Sequence, residues 1–297
     1  MKRYIKKDFC PIVSIGIPVY NEAENIKELA ESILAQKNIN LREVIFIVSG
    51  CTDDSAAVVK GFVEKDARFK LYKEQNRNGK AVAVNLFLKS ARGNICVLLS
   101  SDIILDENCL SALIEPFKDQ RIGMTGARII PVRNDSNFMC SLNKIIWEIH
   151  NQLNIKKPKL GEAVAFRDVI DEIPGNTAVD EASIEAFFTA RDYKLYYARK
   201  ALVYNKCPIT VKDLFIQRVR IFWGHLDIKT RLGYAVGSMD LKLVAEVTFI
   251  YMIKNLHLFI FIFFLYILEA LSRLVAYCEY YFYKELPPFI WPKYRKR

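Results

Sequence analysis

Polar side chains follow a strand-length apolar run near the middle of the sequence. Ile95–Leu99 is a continuous run of five apolar residues, and Ser100, Ser101 and Asp102 come directly after it. A short run of this kind is typical of a strand buried on both faces, as in a parallel sheet covered by helices. A carboxylate at the end of such a strand lies where open α/β sheets bind ligands. Asp102 is therefore a candidate ligand-binding carboxylate, and its alternative role is to stabilise the turn that follows.

Alternating strand and helix patterns position the other polar clusters. Apolar runs at 12–17, 44–48 and 69–72 alternate with helical patterns over 22–34 and 55–66 and another from residue 80 onwards, and Asn21 is the predicted N-cap of the first helix. This alternation predicts right-handed βαβ crossovers, an α/β fold class and a mainly parallel sheet flanked by helices. Because polar residues follow several of the strands, we expect their loops to converge on one edge and form a binding crevice.

The composition restricts the classes of partner. The chain has 297 residues, a formal charge of +10 and 52% hydrophobic residues, and the apolar excess is concentrated after residue 243. The positive charge favours a membrane surface or a phosphorylated substrate, and no nucleic-acid-binding motif accompanies it. Seven cysteines without a Cys-x-x-Cys pair indicate a reducing compartment. The basic N-terminus lacks a following apolar core, so we expect no secretion signal.

Two common nucleotide-binding motifs are absent from the sequence. A dinucleotide-binding domain would carry Gly-x-Gly-x-x-Gly after its first strand, but the chain reads Gly16-Ile-Pro-Val-Tyr-Asn-Glu22 there. No Walker-type phosphate loop occurs either. Both classes are excluded.

Three motifs carry a resemblance to a known family. They read Val13-Ser-Ile-Gly-Ile-Pro-Val-Tyr-Asn-Glu22, Gly50-Cys-Thr-Asp-Asp-Ser55, and Asn78-Gly-Lys80 with Asn85. Together they resemble family 2 glycosyltransferases of the GT-A fold, over roughly residues 10 to 225. The resemblance implies transfer of a sugar from a nucleotide-diphosphate donor with inversion, usually assisted by Mg²⁺ or Mn²⁺.

The resemblance also implies donor-binding residues. They are Pro18, Tyr20, Asn21, Glu22, Ser49, Asp53, Lys80, Ser101 and Asp102. Glu22 and Asp53 would lie near the base or ribose of the nucleotide, and Lys80 near the diphosphate. Asp102 corresponds to the last carboxylate of the family's Asp-x-Asp metal motif.

Two departures from the family pattern bear on the donor and the metal. Ser49 stands where the family usually has a nucleotide-contacting Asp, which weakens the expectation of a uridine nucleotide. Ser100 replaces the first Asp of the metal motif, which leaves Asp102 as the expected ligand of Mg²⁺ or Mn²⁺. A hard cation bound to donor phosphates needs only one or two protein carboxylates plus water. His225 is a second candidate metal ligand, with a structural hydrogen-bonding role as its alternative, and Asp106 is expected to cap the following helix.

An acidic pair, Asp180-Glu181, precedes a helical pattern that ends at Arg191-Asp-Tyr193. This arrangement matches the family's acidic pair ahead of a helix and its Arg-Gly-Tyr turn, with the order of the two acids swapped. One of the two carboxylates is expected to be catalytic and to take the proton of the acceptor hydroxyl. We favour Asp180, because Glu181 begins the helix and can interact with its N-terminus.

A basic segment further on resembles the Gln-x-x-Arg-Trp motif of polysaccharide and sphingolipid glucosyltransferases. Gln217 and Arg220 match it, whereas Ile221 replaces the tryptophan and Trp223 follows two residues later. Residues three apart share a helical face, and an Arg fork suits a diphosphate leaving group. The expected leaving-group or acceptor residues are Gln217, Arg218, Arg220 and Trp223. The structural alternative is a basic amphipathic helix on lipid head groups, and it is compatible with the first role if Arg218 or Lys212 is turned to the membrane.

The C-terminal region predicts membrane association. Residues 243–277 are markedly apolar, but the uninterrupted run at 258–268 is shorter than the roughly 20 residues that span a bilayer. The end of the chain, 293–297, is basic, which favours both ends on one side of the membrane. We therefore expect an interfacial or re-entrant helical hairpin of 243–253 with 256–277. A single tilted span is the alternative.

These observations divide the chain into three segments. Residues 1–210 are the expected GT-A catalytic domain, 211–242 the interface helices, and 243–297 the hydrophobic membrane region and basic tail. The expected function is sugar transfer, of hexosyl or N-acetylhexosaminyl type, to a lipid-linked, glycan or membrane-embedded acceptor at the cytoplasmic face of the cell membrane. Two alternatives stay open: a polyprenyl-phosphate sugar transferase, and an inactive membrane scaffold in which Ser49 and Ser100 replace two expected carboxylates.

Overall fold

The strands and helices alternate along most of the chain in the computed structural model, which describes residues 9–132, 137–283, 288 and 290. The strands are β1 (Ile12–Val19), β2 (Asn40–Ser49), β3 (Phe69–Glu74), β4 (Ile95–Leu99), β5 (Ile103–Leu105), β6 (Ile122–Pro131), β7 (Ala163–Arg167) and β8 (Lys194–Asn205). The helices are α1 (Ala23–Leu34), α2 (Ser55–Val63), α3 (Lys80–Ser90), α4 (Cys109–Ile114), α5 (Phe138–Lys156), α6 (Asp180–Thr189), α7 (Val211–Leu232), α8 (Leu241–Lys254) and α9 (Phe259–Tyr281). Short 3-10 turns occupy Glu115–Lys118, Gly237–Met239 and Leu256–Leu258.

The strands form one mixed sheet in the order β3-β2-β1-β4-β7-β6-β8-β5. Its first half, β3-β2-β1-β4, is parallel, as the strand–helix alternation predicts. In the second half only β6 and β8 run parallel, and β7 and β5 are antiparallel to their neighbours. The α/β fold is therefore confirmed, but the apolar pattern does not reveal strand direction in this half, because an internal strand is buried on both faces whichever way it runs.

Local expectations at two loops are wrong. The first strand continues through Pro18 to Val19, since its pairing with β4 ends at Gly16 and the missing N–H of Pro18 is tolerated beyond that point. Asn21 is not the cap of α1, because it adopts a left-handed φ of 53° and Glu22 precedes the helix. Asp106 does not cap α4 with its side chain, which instead accepts a hydrogen bond from the Tyr204 hydroxyl at 3.4 Å.

Apolar side chains fill both faces of the sheet. One cluster contains alternate residues of β1 and β4 with α1 and α4, and the other joins β7 to α3 and α6. Gly16 lies where the Phe87 ring of α3 presses against β1, because an added Cβ would be 2.3 Å from Phe87 Cγ. Close packing here holds α3, and with it Lys80, against the sheet.

We expect Gly16→Ala to lower the free energy of unfolding by about 1–3 kcal/mol, because the new methyl group overpacks against Phe87. Gly61→Ala in α2 is the matched control. Nothing lies within 4 Å of a Cβ at Gly61, so this change should stabilise the helix by roughly 0.5–1 kcal/mol. Thermal unfolding followed by circular dichroism measures both. Equal midpoints for the two variants would contradict the packing argument.

The C-terminal helices share an apolar core with α5. Leu142 and Ile145 of α5 meet Leu214 of α7 and residues 262, 265 and 268 of α9. By length and composition, Leu256–Tyr281 is apolar enough to cross a membrane, and among the described residues it alone passes this criterion. Helices α8 and α9 cover the two predicted helical segments, and their arrangement in a membrane stays a prediction. The basic tail at 293–297 and the N-terminal residues 1–8 lie outside the described residues.

Candidate active site

A cavity of about 330 Å³ lies at the carboxyl edge of the parallel strands. It is bordered by the segments after β1, β2 and β4, by the N-terminal ends of α3 and α6, and by α7. Its volume is in the range of ligand-binding pockets. The expected convergence of polar loops on one sheet edge is therefore present in the fold.

Most of the predicted site residues line this cavity. They are Pro18, Tyr20, Glu22, Ser49, Lys80, Ser101, Asp102, Asp180, Glu181, Gln217, Arg218, Arg220 and His225. Of the described residues in the prediction, Asn21, Asp53 and Trp223 are not part of the lining. Trp223 is buried within α7.

Asn21 and Asp53 bind neighbouring backbone. The Asn21 side chain accepts a hydrogen bond from Thr52 N–H at 2.8 Å and donates to the Thr52 hydroxyl at 3.1 Å. Asp53 accepts from the N–H groups of Ala23 at 3.1 Å and Ser55 at 3.0 Å, at the starts of α1 and α2. These contacts join the loops after β1 and β2, so both side chains hold the shape of the cavity wall.

Lys80 forms ion pairs with both members of the acidic pair. Its Nζ lies 3.0 Å from Asp180 Oδ2 and 2.7 Å from Glu181 Oε1. Gly79 adopts a φ of 94°, a backbone conformation that favours glycine, and so brings the chain into α3 with Lys80 as its first residue. Asp180 and Glu181 form the first turn of α6.

The two carboxylates differ in acidity. Burial, followed by the negative charge of Glu181, raises the pKa of Asp180 to about 6 against the opposing effect of Lys80. Burial alone would also raise the pKa of Glu181, but the charge and hydrogen bond of Lys80 outweigh it and leave that pKa below its ordinary value. Asp180 is thus the more basic carboxylate, whereas Glu181 holds Lys80. Neighbouring acids with separated pKa values are typical of catalytic sites.

Asp102 is the carboxylate best placed for a hard cation. It follows β4, is only 5% exposed and lines the cavity beside Ser100 and Ser101. No cluster of three or more His, Cys, Asp or Glu side chains suited to a metal occurs in the described part of the chain. This donor set fits a cation shared between one protein carboxylate, donor phosphates and water, and does not fit a closed protein site.

The surroundings of His225 oppose a metal ion. Burial and the positive charges of Lys159, Arg218 and Arg273 hold the pKa of His225 well below its ordinary value. The same three cations would repel a bound divalent cation. We therefore do not include His225 in the proposed metal site.

Other lining residues were not anticipated from the sequence. The Arg77 guanidinium lies 3.5 Å from the centroid of the Tyr20 ring, next to the Asn78-Gly-Lys80 motif that could have indicated it. Lys159 and Glu162 lie in the segment between α5 and β7, and Glu162 has a left-handed φ of 59°. His150 lines the cavity from α5. No motif marks the last three, because only the packing of α5 on β6 and the pairing of β7 with β4 bring them to the cavity.

The family follows from a match to most of the catalytic fold. Residues 14–188 match the model of Glycosyl transferase family 2, which is more than half of the chain. The chain belongs to glycosyltransferase family 2. The predicted enzyme class is thereby confirmed.

Two curated relatives place this glycosyltransferase among sugar-transferring enzymes. It is 25% identical over 268 residues to the poly-beta-1,6-N-acetyl-D-glucosamine synthase of Staphylococcus epidermidis. The alignment covers 81% of this chain and 63% of the relative. It is 29% identical over 109 residues to the glycosyltransferase GlyG of Streptococcus pneumoniae, covering 37% of this chain and 36% of that one. The chain therefore spans only about one third to two thirds of the length of these relatives.

A solved structure shares the fold over nearly the whole length. The mannosyltransferase PcManGT from Pyrobaculum calidifontis, in complex with GDP-Man and Mn²⁺, superposes with a TM-score of 0.69. The two sequences are 18% identical, and the match covers 94% of this glycosyltransferase and 89% of PcManGT. At this identity the likeness is one of fold, and it confirms the expected GT-A architecture.

Proposed function

We propose that this glycosyltransferase transfers a sugar, with inversion, from a nucleoside-diphosphate sugar to a hydroxyl of a membrane-associated acceptor. The observation that carries the proposal is the convergence of four segments on one cavity. Lys80, Asp102, Asp180 and Arg220 line it together, although they come from different parts of the sequence. A cation, a metal-binding carboxylate and a carboxylate of raised pKa are the groups that this reaction requires.

The reaction we propose is a single displacement. The acceptor oxygen forms a bond to the anomeric carbon as the bond between that carbon and the diphosphate oxygen breaks. Asp180 takes the hydroxyl proton, and its raised pKa makes it an adequate base near neutral pH. Glu181 supports it by holding Lys80. The products are the glycosylated acceptor and a nucleoside diphosphate.

Two cationic side chains and one neutral amide would bind the departing diphosphate. Arg220 and Gln217 reach the cavity from α7, and Lys80 reaches it from α3. Fixed cations aimed at developing negative charge contribute strongly to catalysis in an enclosed site. Mg²⁺ or Mn²⁺ at Asp102 would supply additional neutralisation of the phosphate oxygens.

The placement of α9 supports attachment along the membrane surface. Its inner face packs on α5 and α7, where Arg218 Nε donates to Glu269 at 2.7 Å. Its outer face exposes large apolar side chains, among them Phe259, Ile260 and Phe263. Because α7 carries many charged residues, burying α7 together with α9 in hydrocarbon would be costly. We therefore propose an interfacial helix, with the catalytic domain at the cytoplasmic face.

A donor-binding panel tests the proposed function. Titration calorimetry of the purified full chain in non-ionic detergent, with Mn²⁺ present, should detect binding of at least one nucleoside-diphosphate sugar. We expect dissociation constants between about 1 μM and 1 mM, in the range of ordinary enzyme substrates. The same titrations in excess EDTA provide the control and should show weaker binding. Absence of binding by all uridine, guanosine, cytidine and thymidine diphosphate sugars would contradict the proposal.

A further inference from the structure

A second cavity lies between α5, α8 and α9. Its volume is about 130 Å³, and most of its wall is apolar, contributed by Ile149, Leu153, Val244, Ile262 and Leu265. A dry apolar cavity of roughly 150 Å³ is large enough to hold benzene. This second cavity therefore has room for a few carbon atoms of an apolar chain.

The second cavity adjoins the 330 Å³ cavity of the candidate active site, which we call the donor cavity. Four residues line both: Ile146, His150, Lys159 and Arg218. One wall of the apolar cavity is thus also a wall of the space that contains Asp180 and Asp102. We call the three polar members, His150, Lys159 and Arg218, the junction.

The junction carries an excess of positive charge. Arg218 and Arg273 both donate to Glu269, at 2.7 Å and 2.8 Å, so a single carboxylate is shared between two guanidinium groups. Lys159 adds a third cation, and burial together with the charge of Arg218 lowers its pKa to about 8. Burial, with the positive charges of Lys159 and Arg218, also holds the pKa of His150 well below its ordinary value.

Glu185 balances this charge only in part at neutral pH. It attracts Lys159, but burial raises the pKa of Glu185 to about 7. Its carboxylate also accepts hydrogen bonds from Leu160 N–H and from the Tyr234 hydroxyl, the latter at 2.9 Å. Lys159 and Arg218 are partly buried, and a partly buried surplus of positive charge is unfavourable without an anion. The junction therefore suits an anionic group of one or two charges.

The far end of the second cavity reaches the exposed apolar face of α9. Tyr266 lines the cavity and is 68% exposed, and Phe263 and Ile267 beside it on the helix are exposed as well. An amphiphile that enters here would meet apolar walls first, then the cations, and then the donor cavity. The order of apolar wall, cations and donor cavity matches a lipid with a phosphate between its chain and its head group.

We infer that the second cavity and the junction bind a lipid phosphate, with the first carbons of an alkyl or prenyl chain between α8 and α9 and the phosphate at Lys159 and Arg218. The inference rests on the proposed function, because it assigns the bound lipid as the acceptor whose head group enters the donor cavity. Arg218 donates from Nε and Nη2 to Glu269, so it would attract the phosphate through its charge and its other N–H groups, and Lys159 would do so through its charge. The remainder of the chain would lie in the membrane against the outer face of α9.

Titration with farnesyl phosphate tests the inference on the purified full chain in non-ionic detergent. Inorganic phosphate and farnesol are the two partial ligands, and affinity is measured by calorimetry. We expect farnesyl phosphate to bind at least about tenfold more tightly than either, because it alone satisfies both parts of the site. Lys159→Gln should weaken the binding of farnesyl phosphate about tenfold, close to the loss of one charge-assisted hydrogen bond. The affinity for farnesol should be unchanged.

A matched pair of variants tests the apolar part. Thr248 lines the cavity, whereas the adjacent Phe249 is 58% exposed and is not in its lining. Thr248→Trp should fill the cavity and weaken the binding of both farnesyl phosphate and farnesol. Phe249→Trp should change neither affinity. Circular dichroism checks that the variants fold, and Val244→Phe replaces Thr248→Trp if the latter unfolds.

The outcomes separate this inference from the proposed function. Equal affinity for farnesyl phosphate and inorganic phosphate, or binding that is the same in all variants, would overturn the lipid site and indicate an anion site only or partition into micelles. Donor binding with Mn²⁺ is measured on the same preparations. If the wild type binds a nucleotide sugar but no farnesyl phosphate, only the inference fails. If the wild type binds no nucleotide sugar, the proposed function itself is refuted.

Discussion

Asp180→Asn should lower the turnover number by about 10²- to 10⁴-fold, the usual contribution of a general base. Asparagine keeps the size of the side chain but cannot accept the acceptor's proton. Because Lys80 retains Glu181 at 2.7 Å, we expect the cavity and donor affinity to change only a few-fold. Single-turnover transfer with saturating donor measures the effect, and calorimetry with donor and Mn²⁺ measures the affinity.

Glu181→Gln is the matched control for Asp180→Asn, and the pH profile adds a second readout. Activity needs ionised Asp180, whose pKa is about 6, so the rate should fall about tenfold per pH unit below that value. Removing the negative charge of Glu181 lowers the pKa of Asp180, so the acidic limb of the profile should move to lower pH. If Asp180→Asn retains more than a tenth of the wild-type rate, Asp180 is not the base.

Asp102→Ala should weaken Mn²⁺-dependent donor binding at least about 100-fold, or about 2.7 kcal/mol. In the proposed metal site Asp102 would provide the hard oxygen ligands after β4, and the described residues offer no cluster of three metal-binding side chains to replace it. Calorimetric titration of donor with and without Mn²⁺ measures the loss. Binding in the absence of metal should be nearly unchanged, because only the metal-linked part of the affinity is removed.

Asp106→Ala serves as the control for Asp102→Ala. Asp106 lies four residues further on, accepts a hydrogen bond from Tyr204 and is not in the lining of the donor cavity. We expect this variant to bind donor and Mn²⁺ like the wild type. Equal donor affinity for Asp102→Ala and the wild type in the presence of Mn²⁺ would refute the metal site.

The pattern of apolar residues along the sequence was sufficient to predict the strands of the parallel half of the sheet. The apolar pattern delimits the run Ile95–Leu99, and the structure gives β4 the same bounds. The polar loops after β1, β2 and β4 meet because the carboxyl ends of parallel strands share an edge. Asp102, Ser49 and Glu22 could therefore be assigned to one cavity from strand order and direction alone.

Contacts between distant segments were decided only by the tertiary structure. Lys80 and Glu181 are 101 residues apart in sequence, and no local pattern indicates that they form an ion pair. The same packing separates the pKa values of Asp180 and Glu181, since burial and neighbouring charge are properties of the folded site. Asn21 and Asp53 matched the family motif, yet their hydrogen bonds to backbone depend on how the two loops pack together.

The sequence by itself determined the family, the α/β architecture and the edge of the sheet where the proposed donor cavity lies, because apolar periodicity and short motifs are local properties of the chain. The tertiary structure decided the direction of β7, the partners of Lys80 and the meeting of Lys159 with Arg218 beside the second cavity. The direction of β7 depends on its pairing with β4 and β6, the partners of Lys80 on α3 packing beside α6, and the meeting of Lys159 with Arg218 on the packing of α5, α7 and α9. Side chains far apart in sequence acquire a common environment only through such packing.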